Sequence, residues 1–426
     1  MFAKESASAR ESPPAAVEIL HRYRWVMLGV AFLVQVSNAL ATSAVAPLAP
    51  LFQPELGLSK AEVGLFSSII FAGAWGVLIV AGSLCDRFGI RRPMSLALVV
   101  IGTVMLSMSM AGSFFQAASV MFLAGIGGGL VMPGTTKIIM DWFPPRARAT
   151  AMGIKQAGVP LAGILTASIL PVVALSIGWR SAIAGVGFAI IATGIAVGIF
   201  ARDAATQQKS ASRSAFSRSD YRQVLRNRGL WAVSAISVLY VTTQLALISY
   251  IALYLMEFLL VPAIPDEHTR IVAAGGYLAL CQAGGVFGRI FWGVVSDRLF
   301  HGRRMVVLAL VGMLAALMSL AVASIEPGLP LGVLSVVTFV YGATAIGWNG
   351  LYHAAMAETA GRRFAATGTG FGMTLNQFGV VGGPPLFGFV VDISGSYRIG
   401  WGMLAAFCTL GAILSVYNAR QEGQVD

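Results

Sequence analysis

The chain is written in long apolar runs, each closed by a short polar or glycine-rich break. A helix needs about 20 apolar residues to cross the hydrocarbon core of a bilayer. At that length the pattern predicts twelve spans: 25–51, 60–83, 94–112, 115–142, 148–175, 180–201, 229–258, 270–296, 304–324, 330–358, 364–391 and 397–419. The runs lack the polar–apolar alternation of a membrane-spanning β-strand, so a closed barrel is excluded. One long polar break, "RDAATQQKSASRSAFSRSDYRQVLRNR" at 202–228, divides the spans six and six. The expected organisation is an all-α integral membrane chain. It has a cytoplasmic tail over 1–24, a six-helix bundle over 25–201, a cytoplasmic linker over 202–228, a second six-helix bundle over 229–419 and a short cytoplasmic tail over 420–426.

Composition agrees with the pattern. Of 426 residues, 57% are hydrophobic and 11% are charged, against about 25% charged in a soluble domain. The formal charge of +11 would raise nucleic acid as a partner in a soluble chain, but position decides otherwise. With both termini and 202–228 in the cytoplasm, 22 of the 29 Lys and Arg fall on that side, and Lys60, Arg180, Arg270 and Arg398 on the other. Such a bias sets the orientation of a multi-pass protein and faces anionic lipid. The expected partner is therefore the bilayer of a cell membrane, with no nucleic acid. Cys85, Cys281 and Cys408 are odd in number and scattered, which predicts no disulfide and no metal site. The first twenty residues, "MFAKESASARESPPAAVEIL", lack the apolar core of a signal peptide.

Two segments repeat. "GSLCDRFGIRR", from Gly82 to Arg92, recurs as "GVVSDRLFHGRR", from Gly293 to Arg304, and "KQAGV" from Lys155 recurs as "NQFGV" from Asn376. The offsets, 211 residues between Asp86 and Asp297 and 221 between Lys155 and Asn376, are close to half the chain. The halves are expected to be parallel repeats, and transporters built this way bind substrate where the repeats meet.

Gly82, Asp86, Arg87, Gly89, Arg91 and Arg92 resemble the loop signature of the major facilitator superfamily, G-x-x-x-D-R-x-G-R-R, between spans two and three. Gly293, Asp297, Arg298, Arg303 and Arg304 resemble its second copy, with one residue added at "LFHG". The resemblance covers all twelve spans and implies the major facilitator fold, two pseudo-symmetric six-helix bundles rocking about a central site. Gly82 permits close helix approach, and Asp86 can pair with arginines or cap a neighbouring helix. Gly82, Asp86, Arg87, Arg91, Gly293, Asp297 and Arg298 are accordingly expected in gating latches. "DWFPPRARATAMGIKQAGVP", from Asp141 to Pro160, resembles carriers of small anions of the cyanate and nitrate/nitrite type. The spacing of Arg289 and Gly293 resembles monocarboxylate and oxalate carriers, whose span-eight arginine binds the substrate carboxylate. The span-eleven lysine of the oxalate carriers is absent here. Asn376 and Gln377 stand there instead, which counts against a dicarboxylate clamped from both halves in that way.

Three cations lie inside predicted spans: Lys137, Lys155 and Arg289. Each costs roughly 3 kcal/mol or more at the bilayer centre. No acid lies at the centre of any span: Asp141 is one turn from Lys137, Glu358 and Asp297 sit at cytoplasmic ends, and Glu257 and Asp392 sit near the outer face. An interior with surplus positive charge selects anions, and a guanidinium can hold a planar carboxylate bidentately. Lys137 is expected to pair with Asp141 or snorkel. Lys155, followed by Gln156 and the helix-loosening "GVP", suits a gate partner of Asp141 or Glu358 and a substrate ligand equally. Arg289 shares a face with Gly285, Gly293 and Asp297 and is expected to bind substrate, a gating pair being the alternative.

Polar residues near mid-span add a pocket on spans one, seven, ten and eleven: Gln35, Asn38, Tyr240, Gln244, Asn349, Asn376 and Gln377. Each is equally explained by polar groups satisfying one another between helices. His353 is the residue there that titrates near neutral pH, and so the candidate for proton coupling. Symport, with the proton riding on the substrate carboxylate, and anion exchange both stay open. No nucleophile–base constellation, phosphate loop or metal spacing appears, so neither an enzyme nor a cofactor is expected. The residues point to a secondary active transporter, expected to act as a monomer, that moves a small organic anion of monocarboxylate type by alternating access. The alternative is an exporter of drugs or amphipathic metabolites on the same fold, and a third class is a transceptor or non-transporting membrane scaffold, against which the gating motifs in both halves argue. The lack of a membrane-embedded acid argues against a cationic cargo.

Overall fold

The computed structural model describes residues 14–143, 151, 154–203, 223 and 225–422, and among them the regular structure is helical throughout. Span one is built from α1 (Pro14–Ser43) and α2 (Val45–Glu55). Spans two to six are α3 (Lys60–Phe88), α4 (Arg91–Met108), α5 (Phe114–Trp142), α6 (Gly158–Ile177) and α7 (Trp179–Phe200). Span seven is α8 (Arg228–Tyr254) with a π-helical turn at Leu255–Leu259, span eight is α9 (Glu267–Arg298) and span nine is α10 (Arg304–Ser324). Span ten is α11 (Leu331–Ala345) plus the start of α12 (Asn349–Ser394), span eleven is the rest of α12, and span twelve is α13 (Tyr397–Glu422). Ten helices among the described residues are long and apolar enough to cross a membrane. The other two spans are α3 and the part of α12 beyond Gly361, whose φ of 73° kinks the helix in a conformation that glycine adopts without a Cβ penalty.

Several boundaries differ from expectation for local reasons. Helix begins ahead of the span: α1 starts at Pro14, a residue suited to a first helical turn because its missing N–H has no partner there anyway, while the apolar span runs from Tyr23. Span one breaks at Ser43 and Ala44. A proline in a helix clashes with the carbonyl four residues back, and Pro47 stands four after Ser43. Pro160 relates to Gln156 in the same way, and span five turns at Ala157 before α6 starts. Span ten breaks at Ile346–Trp348 without a proline. There Gly347 is pressed so closely against the Ala343 carbonyl and the Gly288 backbone that a Cβ would collide. Residues 204–222 of the predicted linker, and 423–426 of the last tail, lie outside the described residues.

Four helix starts carry a polar N-cap residue. Ser59 and Glu62 form a reciprocal capping box on α3, which satisfies two orphan donors at once. Ser113 caps α5, Asn227 caps α8 and Asp266 caps α9. The Thr269 hydroxyl, and then its backbone N–H, hold the exposed Asp266 carboxyl below the ordinary range. Asp203 caps α4 from the far end of the first half, its Oδ1 accepting from the N–H of Ile90 at 2.5 Å and of Arg91 at 3.3 Å.

Packing repeats between the halves. Span two packs on four, three on six and one on five; span eight packs on ten, nine on twelve and seven on eleven. Each pair in the second half is the six-span shift of a pair in the first, as the sequence repeats predict. The closest crossings use glycine: Gly125 meets the Ile70 carbonyl, Gly284 the Phe339 carbonyl and Gly342 the Cys281 carbonyl, where any Cβ would overlap backbone. Small residues let helices approach this closely in a bilayer, where packing rather than hydrophobic exclusion drives association. Between halves, span two packs on span eleven, span five on span eight, and α2 on span seven.

Candidate functional site

The seam between halves is clasped at the end that carries Lys60. The Lys60 ammonium meets Glu257 Oε2 at 2.8 Å, and the Tyr397 hydroxyl donates to the same oxygen at 3.0 Å. Asp392, from the second half, accepts from the N–H groups of Lys60 and Ala61 at 3.1 and 2.8 Å. It caps α3 across the seam, where the positive end of the helix dipole favours a carboxylate. The Tyr250 hydroxyl donates to the Lys60 carbonyl. Gly64 and Gly388 bring the Pro384 and Lys60 carbonyls into backbone contact. A cavity of about 360 Å³ lies at this clasp, with Lys60, Glu257, Asp392 and Tyr397 in its wall.

At the opposite end several polar contacts join residues of one half. Arg304 bridges Asp297 at 2.5 Å and Glu358 at 3.4 Å, both in the second half. In the first half Lys137 pairs with Asp141 at 3.9 Å, as expected, and Arg91 Nε donates to the Gly198 carbonyl at 2.6 Å. Arg298 is exposed beside Asp297, and a Cβ at Gly293 would meet nothing within 4 Å. Gly82, Asp86 and Arg87 lie on α3, but their side chains are outside the described residues.

Between these ends lie the buried cations. Lys155 is fully buried, and its ammonium donates to the Thr136 hydroxyl of span four at 3.3 Å. It therefore pairs with neither Asp141 nor Glu358: the turn at Ala157 directs it into the packing of the first half. Arg289 is half-buried, and its Nε is enclosed with no hydrogen-bond partner. No carboxylate among the described residues lies within ion-pair distance of Arg289. His353, at the start of α12 in span ten, is exposed and within its electrostatic range. The Arg289 carbonyl lies 3.9 Å from the Cβ position of Gly350, just past the break in span ten.

The predicted polar pocket is gathered only in part. Gln244 Oε1 accepts from Asn349 Nδ2 at 3.0 Å, and the same amide donates to the Ile346 carbonyl at 3.0 Å. This ties span seven to the break in span ten. Asn376 donates to the Ser237 carbonyl at 3.3 Å. Gln377 is half-buried beside Phe378, which meets Trp75 of the first half edge-on at 5.7 Å. Gln35 is buried with Oε1 unpartnered, and Asn38 lies against Gly128 of span four. Tyr240 belongs elsewhere. Its hydroxyl donates to the Leu308 carbonyl at 2.9 Å, and its ring fills the space over Gly312 and Gly411. It thus faces spans nine and twelve, away from the seam, and is a packing residue of the second half. One residue that sequence reasoning left out also reaches the seam: Gln282 presses its amide against Gly163 of span five. Gln156, beside Lys155, has its Oε1 buried without a partner. The signal for Gln282 was available in the i, i+7 spacing to Arg289.

These features fit what the chain is similar to. It is 24% identical over 417 residues to a probable sulfoacetate transporter of Cupriavidus necator, covering 92% of this chain and 93% of that protein. It is 24% identical over 439 residues to a gallate transporter of Pseudomonas putida, covering 93% of each. Among solved structures, a bacterial homolog of the human lysosomal transporter Spinster, in an inward-facing and unoccupied conformation, shares the fold. Its TM-score is 0.76 at 17% identity, over 96% of this chain and 98% of that one. The description of one family matches residues 31–384, which is most of the chain. This multi-pass membrane protein, a transporter and not an enzyme, belongs to the Major Facilitator Superfamily.

Proposed function

We propose that the protein moves a small organic anion across the membrane by alternating access, and that Arg289 binds the anionic group. One observation carries this reading. Arg289 places a guanidinium nitrogen in the interior of the molecule with neither hydrogen-bond partner nor ion-pair partner among the described residues. A cation kept there at a cost of several kcal/mol selects a ligand of opposite sign. The named cargoes of the relatives, sulfoacetate and gallate, are organic anions, which supports the same class. The charge bias puts the Lys60 end outside. The clasp at that end supports a state closed on the outer side. Opening outward would break the Lys60–Glu257 and Asp392 contacts, so those contacts are the outer gate of the cycle.

The test is uptake of labelled carboxylates and sulfonates into proteoliposomes, with and without an inward proton gradient, by wild type and Arg289→Ala. Saturable uptake of one anion, lost in the variant, is the expected result. Undiminished uptake in the variant removes Arg289 from the site, and stimulation by the gradient would make the carrier a proton symporter.

A further inference from the structure

We infer that Gln156 is the first-half ligand of the transported anion, facing Arg289 across the seam, and that the favoured substrate carries a hydroxyl as well as its acidic group. This rests on Arg289 binding the anion, as proposed above. The argument is one of register. Spans five and eight cross the seam antiparallel. Near the clasped end, a Cβ at Gly275 of span eight would stand 2.5 Å from the Ala167 carbonyl and 2.8 Å from Pro171 Cγ. Two turns further, Gln282 Nε2 lies 2.6 Å from the Cβ position of Gly163. Seven residues beyond Gln282 is Arg289, and seven residues before Gly163 is Gln156. Seven residues rise about 10 Å along a helix, and Ala157, between Gln156 and α6, keeps helical φ and ψ, so the two side chains come to similar depth.

Arg289 Nε and Gln156 Oε1 are both buried, and each lacks a hydrogen-bond partner. The register thus sets an unpaired donor on one half at the depth of an unpaired acceptor on the other. The neighbouring Lys155 is not part of this arrangement, since its ammonium is turned to Thr136 in the first half. Buried polar atoms that stay unpaired are costly, and one ligand relieves both by presenting an acceptor to Arg289 and a donor to Gln156. A carboxylate or sulfonate supplies the first and a hydroxyl the second. The ligand then touches both halves, as a substrate that couples their rocking must. Sites built to bond a hydroxyl discriminate strongly against the analogue that lacks it.

The test compares matched probe pairs, lactate with propionate and 4-hydroxybenzoate with benzoate, in proteoliposome uptake by wild type, Gln156→Met and Arg289→Gln. Wild type is expected to prefer the hydroxylated member of the transported pair by about tenfold in kcat/KM, the value of one well-made hydrogen bond. Gln156→Met should erase that preference and lower uptake of the hydroxylated acid most, and a melting curve in detergent close to that of wild type shows that the variant folds. Retention of the preference in Gln156→Met, or its absence in wild type, overturns the inference and leaves the anion site intact. Unchanged uptake in Arg289→Gln, or no uptake of any probe, overturns the anion reading itself.

Discussion

Asp392 offers the sharpest test of the clasp at the Lys60 end. Its carboxylate accepts from two backbone N–H groups at the start of α3, at 3.1 and 2.8 Å, from 332 and 331 residues away in sequence. An N-cap bond is worth about 1 kcal/mol, and a carboxylate at the positive helix end adds roughly 0.4 kcal/mol when exposed and screened. Asp392 is exposed, so the lower values apply. The neighbouring Lys60–Glu257 pair remains in an Asp392→Ala variant and contributes the same before and after. The loss of about 1.4 kcal/mol falls on the clasped state alone, because the two N–H groups find water once the halves part. It therefore moves the open-to-clasped ratio at this end about tenfold. Ser249 reports on that ratio. It is 4% exposed behind the clasp, with its hydroxyl 3.4 Å from that of Ser67 in the other half. A Ser249→Cys protein should react about ten times faster with a membrane-impermeant thiol reagent when Asp392→Ala is added. The native Cys85, Cys281 and Cys408 are each 1% exposed or less, which keeps the background low. A rate changed by less than twofold would refute the assignment of Asp392 to the clasp.

Four further outcomes follow from the packing and the site. Tyr240→Phe should lower thermal stability by about 1 kcal/mol through loss of the bond to the Leu308 carbonyl, and leave the KM for the transported anion unchanged. Gly284→Val should destabilise the fold by about 3 kcal/mol or prevent accumulation in the membrane, because the new side chain overlaps the Phe339 backbone; a melting curve in detergent reads this. Arg289→Lys should keep anion selectivity but raise KM at least tenfold, since an ammonium cannot make the paired bonds of a guanidinium. Gln244→Leu leaves the Asn349 amide bonded only to the Ile346 carbonyl; it should reduce kcat more than KM, because span seven no longer holds the break in span ten.

How far the sequence reached depended on the distance between partners. Continuous apolar runs give twelve spans because a bilayer forces every backbone group into a helix, and span and helix agree to within a few residues across most of the chain. The Lys137–Asp141 pair was legible because four residues bring two side chains together on any helix. The breaks at Ser43 and at Ala157 were written in Pro47 and Pro160, four residues ahead of each carbonyl that cannot be bonded. The break at Ile346–Trp348 was not: it arises because Gly347 is wedged between Ala343 and Gly288, a tertiary contact. The Asp392 cap on Lys60 and the Asp203 cap on Arg91 join residues more than a hundred positions apart, and a lone acid near a span end carries no local sign of its partner. Tyr240 was misplaced for a related reason. A polar tip in an apolar helix has the same pattern whether it points to the seam or to the next helix, and the facing Gly312 and Gly411 that admit its ring are visible only in the fold.

Direct binding tests the central claim most simply. Purified wild type and Arg289→Gln would be titrated with a transported carboxylate and with its neutral amide, and heat or bound label measured at equilibrium. Saturable binding of the carboxylate to wild type, at least tenfold weaker in Arg289→Gln and not detected for the amide, is the predicted result. Equal binding of carboxylate and amide, or carboxylate binding unchanged by loss of the guanidinium, would contradict an anion site built on Arg289.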